Sequence, residues 1–207
     1  MDALPFVDYQ YPAPAPGGSG ALLAFIGEAP GADEVRQGRP FAGRSGQLLD
    51  ETLEKAEIDR RSCLVGNVFR FRPPGNKVEH FFASRGKAKK MGVGLLEELG
   101  PFGASDYCLA EYAPEIEHLR TTLAELQPAA IVALGRTPMW ALTGRNGIMA
   151  LRGEMLPCRF LPQSVVVPTF HPSFVLRRNR VDEPTFLADI KLAMKAALER
   201  PHTVAPA

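Results

Sequence analysis

The sequence predicts an α/β fold, a three-layer α/β/α sandwich around a central, mostly parallel four-stranded sheet. Three observations carry that prediction. Four short apolar runs, at residues 22–27, 64–71, 131–134 and 165–169, read as strands. Stretches of helical period separate them, and polar or glycine-bearing segments follow the runs, where open α/β sheets place their ligands.

Residues 1–20 are rich in Pro, Gly and Ala and are expected to form a flexible arm. The run at 22–27 ends in glycine and suits a strand covered on both faces. Leu48, Leu49, Leu53 and Ala56 then share one side of a helix. After the second strand, residues 73–106 look irregular. Pro114 opens a helix with Ile116, Leu119, Leu123 and Leu126 on one stripe. Behind the third strand, Thr137 and Pro138 are expected as N-cap and first helical residue, with Gly144 as the stop. The fourth strand precedes a final amphipathic helix over 184–200, with Phe186, Leu187, Ile190 and Met194 inward.

A chain of 207 residues, 45% of them hydrophobic, suits one globular domain, expected here over residues 21–200 with a tail at 201–207. No apolar run approaches the ~20 residues that span a bilayer, and no charged start precedes an apolar segment, so a cytoplasmic protein is expected. The three cysteines, Cys63, Cys108 and Cys158, include no CxxC pair. Their spacing suggests neither a disulfide framework nor a metal site.

The net charge of +1 argues against coating nucleic acid through bulk electrostatics. The charges are unevenly placed, however. Residues 60–90 hold Arg60, Arg61, Arg70, Arg72, Lys77, Arg85, Lys87, Lys89 and Lys90 against the single acidic Glu79, and Arg177, Arg178 and Arg180 cluster later. A phosphate-binding surface and a solvated face balanced by acidic helices both fit that pattern.

Five motifs then occur in order: GEAPG at 27–31, GRPFAGRSGQLL at 38–49, NVFRFRPPGN at 67–76, IVALG at 131–135 and FHPSFVLR at 170–177. Together they resemble the uracil-DNA glycosylase superfamily, most nearly its family 4. The resemblance covers most of residues 22–195 and leaves 77–106 unmatched. It implies a DNA glycosylase that flips uracil out of DNA and hydrolyses its N-glycosidic bond. The implied partner is uracil-containing DNA, single- or double-stranded, with the protein acting as a monomer and no membrane involved.

The reaction passes through a sugar cation and a uracil anion, so a pocket must hold the extruded base, stabilise charge on a carbonyl and place a water. Phe41, in the family's PF motif, is the candidate stacking platform, against the plain alternative of a core phenylalanine. The Asn67 amide offers a donor and an acceptor to the uracil edge, against a structural strand-end hydrogen bond. His171 would donate to the developing anion if its imidazole stays neutral; otherwise it merely precedes a proline turn. Resemblance assigns Glu28 to the catalytic pocket, orienting water, with Gly27 and Ala29 beside it at the base. Ala29 stands where the best-known family has its catalytic aspartate, and Gly31 where that family has a tyrosine. Pro30, Gly31, Ser45 with Gly46, and Ser173 are candidates to grip phosphates. Leu176 is the first candidate to wedge into the gap left by the base, with Phe174 second and Arg177 and Arg178 near phosphate.

Two departures stand out. Family 4 holds a four-iron cluster on four cysteines, but here the N-terminal pair is missing, Phe71 replaces a third ligand and only Cys108 falls near a ligand position. One thiolate cannot hold a cluster, so no cofactor is expected, with Phe71 and the arm packing in its place. The second is the basic insertion over 77–106. Its RGKAKKM at 85–91 is similar to the RGKRRIH loop of a branch that traps uracil-DNA covalently, with Met91 in place of the trapping histidine. A turning-over enzyme is therefore expected, with Arg85, Lys87, Lys89 and Lys90 on a DNA-contacting or lid loop, or else on a disordered insertion. Two other functions stay open: a non-catalytic (or covalent) binder of uracil-containing DNA, and a glycosylase for hypoxanthine or xanthine.

Overall fold

The computed structural model describes residues 6–13 and 23–199, so the expected tail and parts of the arm lie outside the described residues. In chain order the elements are β1 (Leu23–Gly27), α1 (Ala32–Gln37), α2 (Arg44–Lys55), β2 (Leu64–Asn67), β3 (Phe82–Ser84), α3 (Arg85–Met91), β4 (Asp106–Cys108) and α4 (Ala113–Leu126). There follow β5 (Ala130–Leu134), α5 (Arg136–Thr143), α6 (Ile148–Leu151), β6 (Leu156–Pro157), β7 (Val165–Thr169), α7 (Pro172–Arg177) and α8 (Glu183–Leu198). Among the described residues no helix is long and apolar enough to cross a membrane.

The main sheet runs β2-β1-β5-β7-β6. Its four expected strands are parallel, and a fifth, β6, pairs antiparallel through Leu156↔Val166 and Pro157↔Val165. Two residues leave no alternation to read, which is why the sequence hides that strand. The short partner also explains how Pro168 is tolerated in β7: pairing with β6 ends before the position that lacks an N–H.

Successive strand residues face opposite layers, and both layers are apolar. Leu23, Phe25, Val132, Leu134 and Val167 pack with Leu48, Leu49 and Leu53 of α2 and Phe186 and Ile190 of α8. Ala24, Ile26, Ile131, Ala133 and Val166 pack with Leu119 and Leu123 of α4 and Met139 and Trp140 of α5. This two-sided burial produces the continuous apolar runs and the three layers.

Two segments expected to be loose take defined positions over their described residues. The described part of the arm is ordered, with Val7 and Tyr9 buried. It runs along β2, the outer strand of the sheet, through an antiparallel Gln10↔Val65 bridge, and Tyr9 lies over Gly66 where a side chain would collide with its ring. A sheet edge is thereby covered. The insertion is likewise folded: β3 and β4 form an antiparallel ribbon, and RGKAKKM is the helix α3, capped by Ser84 and ended by left-handed Gly92. Its anchors are aromatic. Phe69 stacks on Phe81 at 3.9 Å and Phe82 on Phe102 at 4.1 Å, with Trp140 edge-on to Phe82. Each such ring contributes on the order of 2 kcal/mol by burial.

Smaller adjustments concern helix ends. The expected N-cap at Thr137 moves back to Gly135, and Gly144 does end α5 in the left-handed region. In α8 the inward residues are Phe186, Asp189, Ile190, Ala193, Ala196 and Ala197, while Leu187 and Met194 are half-buried.

Candidate active site

The carboxyl ends of β1, β2, β5 and β7 open into a cavity of about 620 Å³, a size suited to a small ligand. Its floor is built where β1 meets β2, in register at Gly27↔Asn67. A Cβ on Gly27 would overlap both Asn67 Oδ1 and the edge of the Phe41 ring, so glycine lets these two side chains converge. Phe41 is buried and holds φ at 52°, a left-handed conformation unusual for phenylalanine. Two features hold it there: its carbonyl packs where Gly46 has no side chain, and its N–H donates to Glu34 Oε1 at 2.6 Å. The other oxygen of Glu34 accepts the Gly31 N–H at 2.7 Å, and Asn67 Nδ2 lies 3.5 Å from Oε1.

On the other wall the Thr137 hydroxyl donates to Glu28 Oε2 at 2.5 Å. Burial raises the Glu28 carboxyl above its ordinary value, against smaller lowering effects of that bond and of the Arg136 guanidinium. His171 caps α7. Its Nδ1 accepts the Ser173 N–H at 3.1 Å and pairs with the Ser173 hydroxyl at 2.8 Å, which in turn accepts from Arg177 at 3.2 Å. With Nδ1 committed as acceptor, the proton of the neutral ring sits on Nε2. Burial, with a smaller push from Arg177, lowers this imidazole to about 4. The site therefore offers a neutral N–H donor, a half-buried carboxyl, an amide and an aromatic face. Such a set suits stabilising an anion as a planar base departs.

Comparison with known proteins fixes the family. A model of the uracil DNA glycosylase superfamily matches residues 17–195. The type-4 uracil-DNA glycosylase of Thermotoga maritima is 34% identical over 163 residues, covering 78% of this chain and 69% of that protein. This chain belongs to the uracil DNA glycosylase superfamily. The type-4 uracil-DNA glycosylase of Pyrobaculum aerophilum is 29% identical over 184 residues, 86% of this chain and 79% of that protein.

Of the residues that the sequence singles out for this superfamily site, Glu28, Ala29, Pro30, Gly31, Phe41, Ser45, Asn67, His171, Ser173 and Arg177 line the cavity. Gly27 lies beneath it, against Asn67 and Phe41. Leu176 does not line it, being half-buried against the α2 and α8 layer, whereas Phe174 does. Arg178 is bound to Asp182 at 2.5 Å and Arg180 to Glu51 at 2.6 Å. The basic patch also resolves into pairs, Arg60 with Asp50, Arg61 with Asp59, Arg70 with Glu115 and Arg85 with Glu97. Lys87, Lys89 and Lys90 are exposed on α3, which does not line the cavity.

Sequence reasoning missed Glu34, Lys77, Arg136 and Met149 among the lining residues. Glu34 left one trace, a carboxylate three residues after a glycine N-cap, but α1 is too short for a helical period to mark that cap. Arg136 opens α5, Met149 lies in the four-residue α6 and Lys77 sits between two short turns, so none of them shows a pattern that marks a site.

The four-iron cluster implied by resemblance to family 4 does not fit the residues present. Cys63, Cys108 and Cys158 are buried, and burial pushes the Cys63 and Cys108 thiols up to about 11 and about 12, away from ligating thiolates. Among the described residues no group of three or more His, Cys, Asp or Glu could hold a metal ion. Phe71, in a ligand's place, instead packs on Phe6 of the arm at 5.6 Å between ring centroids, and Arg70 lies 4.6 Å over the same Phe6 ring.

Proposed function

We propose that this chain is a monofunctional uracil-DNA glycosylase of base-excision repair. The carrying observation is that Phe41, Asn67, neutral His171 and half-buried Glu28 meet in one cavity. A uracil rotated out of the helix stacks on Phe41 and hydrogen-bonds to the Asn67 amide. As the C1′–N1 bond breaks, its electron pair moves into the base, and the His171 Nε2–H binds the carbonyl oxygen that gathers the charge. Water attacks C1′ of the sugar cation and passes a proton to Glu28, whose affinity for protons is raised by burial.

Ser45, Ser173 and Arg177 grip phosphates at the mouth, and Phe174 takes the wedge role first given to Leu176. Lys87, Lys89 and Lys90 add phosphate contacts further out. The enzyme works in the cytoplasm as a monomer and needs no iron–sulfur cluster. Support for the last point is the arm, which packs on Phe71; purified protein is expected to be colourless, without the roughly four irons per chain of such a cluster.

Lys77 is the lysine of the cavity wall, but it is exposed, whereas desolvation is what lowers the pKa of many Schiff-base lysines. Oligonucleotides carrying uracil, hypoxanthine or xanthine, single-stranded and duplex, test the reading. Uracil release that leaves an abasic site in an intact strand, with no borohydride-trapped adduct, is expected. Release of another base in preference, or binding without release, would point to the other two functions.

A further inference from the structure

We infer that Glu34 is the positioning residue that makes this site read uracil rather than cytosine, by fixing which end of the Asn67 amide points which way. The inference rests on the proposed role of Asn67 in reading the base.

The two ends of an asparagine amide have nearly the same shape, and only their hydrogen-bond partners decide which is oxygen and which nitrogen. A carboxylate oxygen only accepts. Glu34 Oε1 already accepts the Phe41 N–H at 2.6 Å, and Oε2 accepts the Gly31 N–H at 2.7 Å, so the carboxylate is locked in place. Asn67 Nδ2 sits 3.5 Å from Oε1. The bond is long, and its value is in orientation, since the reversed amide would set an oxygen against a carboxylate. The amide oxygen therefore lies on the Gly27 side.

The order matters because the two pyrimidines present opposite patterns. Uracil offers an N3–H donor beside a carbonyl acceptor, and cytosine an N3 acceptor beside an amino donor. A fixed amide matches one base and leaves unpaired groups against the other, where a rotatable amide accommodates both. The same carboxylate holds the strained backbone of Phe41, so reader and platform share one anchor.

Glu34→Gln keeps the shape and replaces the locked acceptor with a group that also donates. The test is binding to oligonucleotides with a single 2′-fluoro-deoxyuridine or 2′-fluoro-deoxycytidine, whose fluorine disfavours the sugar cation and so prevents turnover. The uracil-to-cytosine affinity ratio is expected to fall about tenfold or more in Glu34→Gln, beyond any common loss of affinity. Glu34→Ala gives a second reading of the same ratio if the first variant folds poorly. A folded variant with the wild-type ratio, whatever its absolute affinity, overturns the inference and leaves Glu34 as a tether of Phe41 alone. A wild-type protein with no preference for uracil overturns the proposed function instead.

Discussion

At Gly27 a single methyl group has nowhere to go, because both the Asn67 oxygen and the Phe41 ring occupy the space a Cβ would take. Gly27→Ala is therefore expected to leave the sheet formed while pushing platform and reader apart. Misplacing a bound base by about 1 Å costs on the order of 10² in rate, and single-turnover kinetics on folded variant measures it. The titrating groups give a second expectation at this scale. His171, held at about 4, is neutral near neutral pH and adds no limb there. Glu28 is raised, so the rate should fall as pH drops through a value above the ordinary carboxylate range. A pH–rate profile of wild type and Glu28→Gln checks this: the variant should be slow and lack that limb. Asn67 was legible because an amide is odd at the end of an apolar strand, whereas Phe41, Glu28 and His171 stood out through the motifs that resemble the superfamily; all four line the cavity. Glu34 was not legible, since a glutamate in a short surface helix looks like any solvated charge.

Among the elements, α3 is the clearest departure from the expected loop. Its lysines stand on an ordered helix away from the cavity wall, so they can act on DNA outside the flipped nucleotide without touching the chemistry. Neutralising Lys87, Lys89 and Lys90 together is expected to flatten the salt dependence of binding by about 0.7 to 0.9 for each phosphate left without its lysine, while the saturated rate holds. An unchanged slope and rate, from a salt series of binding and single-turnover measurements, would make the helix a bystander. The strands that line the cavity were readable because burial on both faces imposes continuous apolar runs. The ribbon of β3 and β4 was not, because three-residue strands carry no period and the core partners of Phe82, namely Phe102 and Trp140, lie far along the chain. The same holds for the arm, whose docking depends on Tyr9 meeting a bare Gly66 far along the chain.

Across the whole molecule, a parallel sheet buried between two helical layers brings four strand ends to one rim, and the superfamily motifs fall there in sequence order. The layers hold the rim rigid. Asp189 of α8, buried, binds Arg152 at 2.7 Å and the Thr169 hydroxyl at 2.7 Å, tying α8 to the end of β7 just before His171. Charge over the whole chain is nearly balanced, so recognition depends on the rim and the cavity and not on a global field. The most direct measurement of the central claim is single-turnover release of uracil from a uracil-containing oligonucleotide by wild type, Asn67→Ala and His171→Ala, each shown to be folded. Wild type should release uracil, and each variant should be slower by on the order of 10² or more. Near-normal rates in both variants, or no release by wild type, would contradict the account.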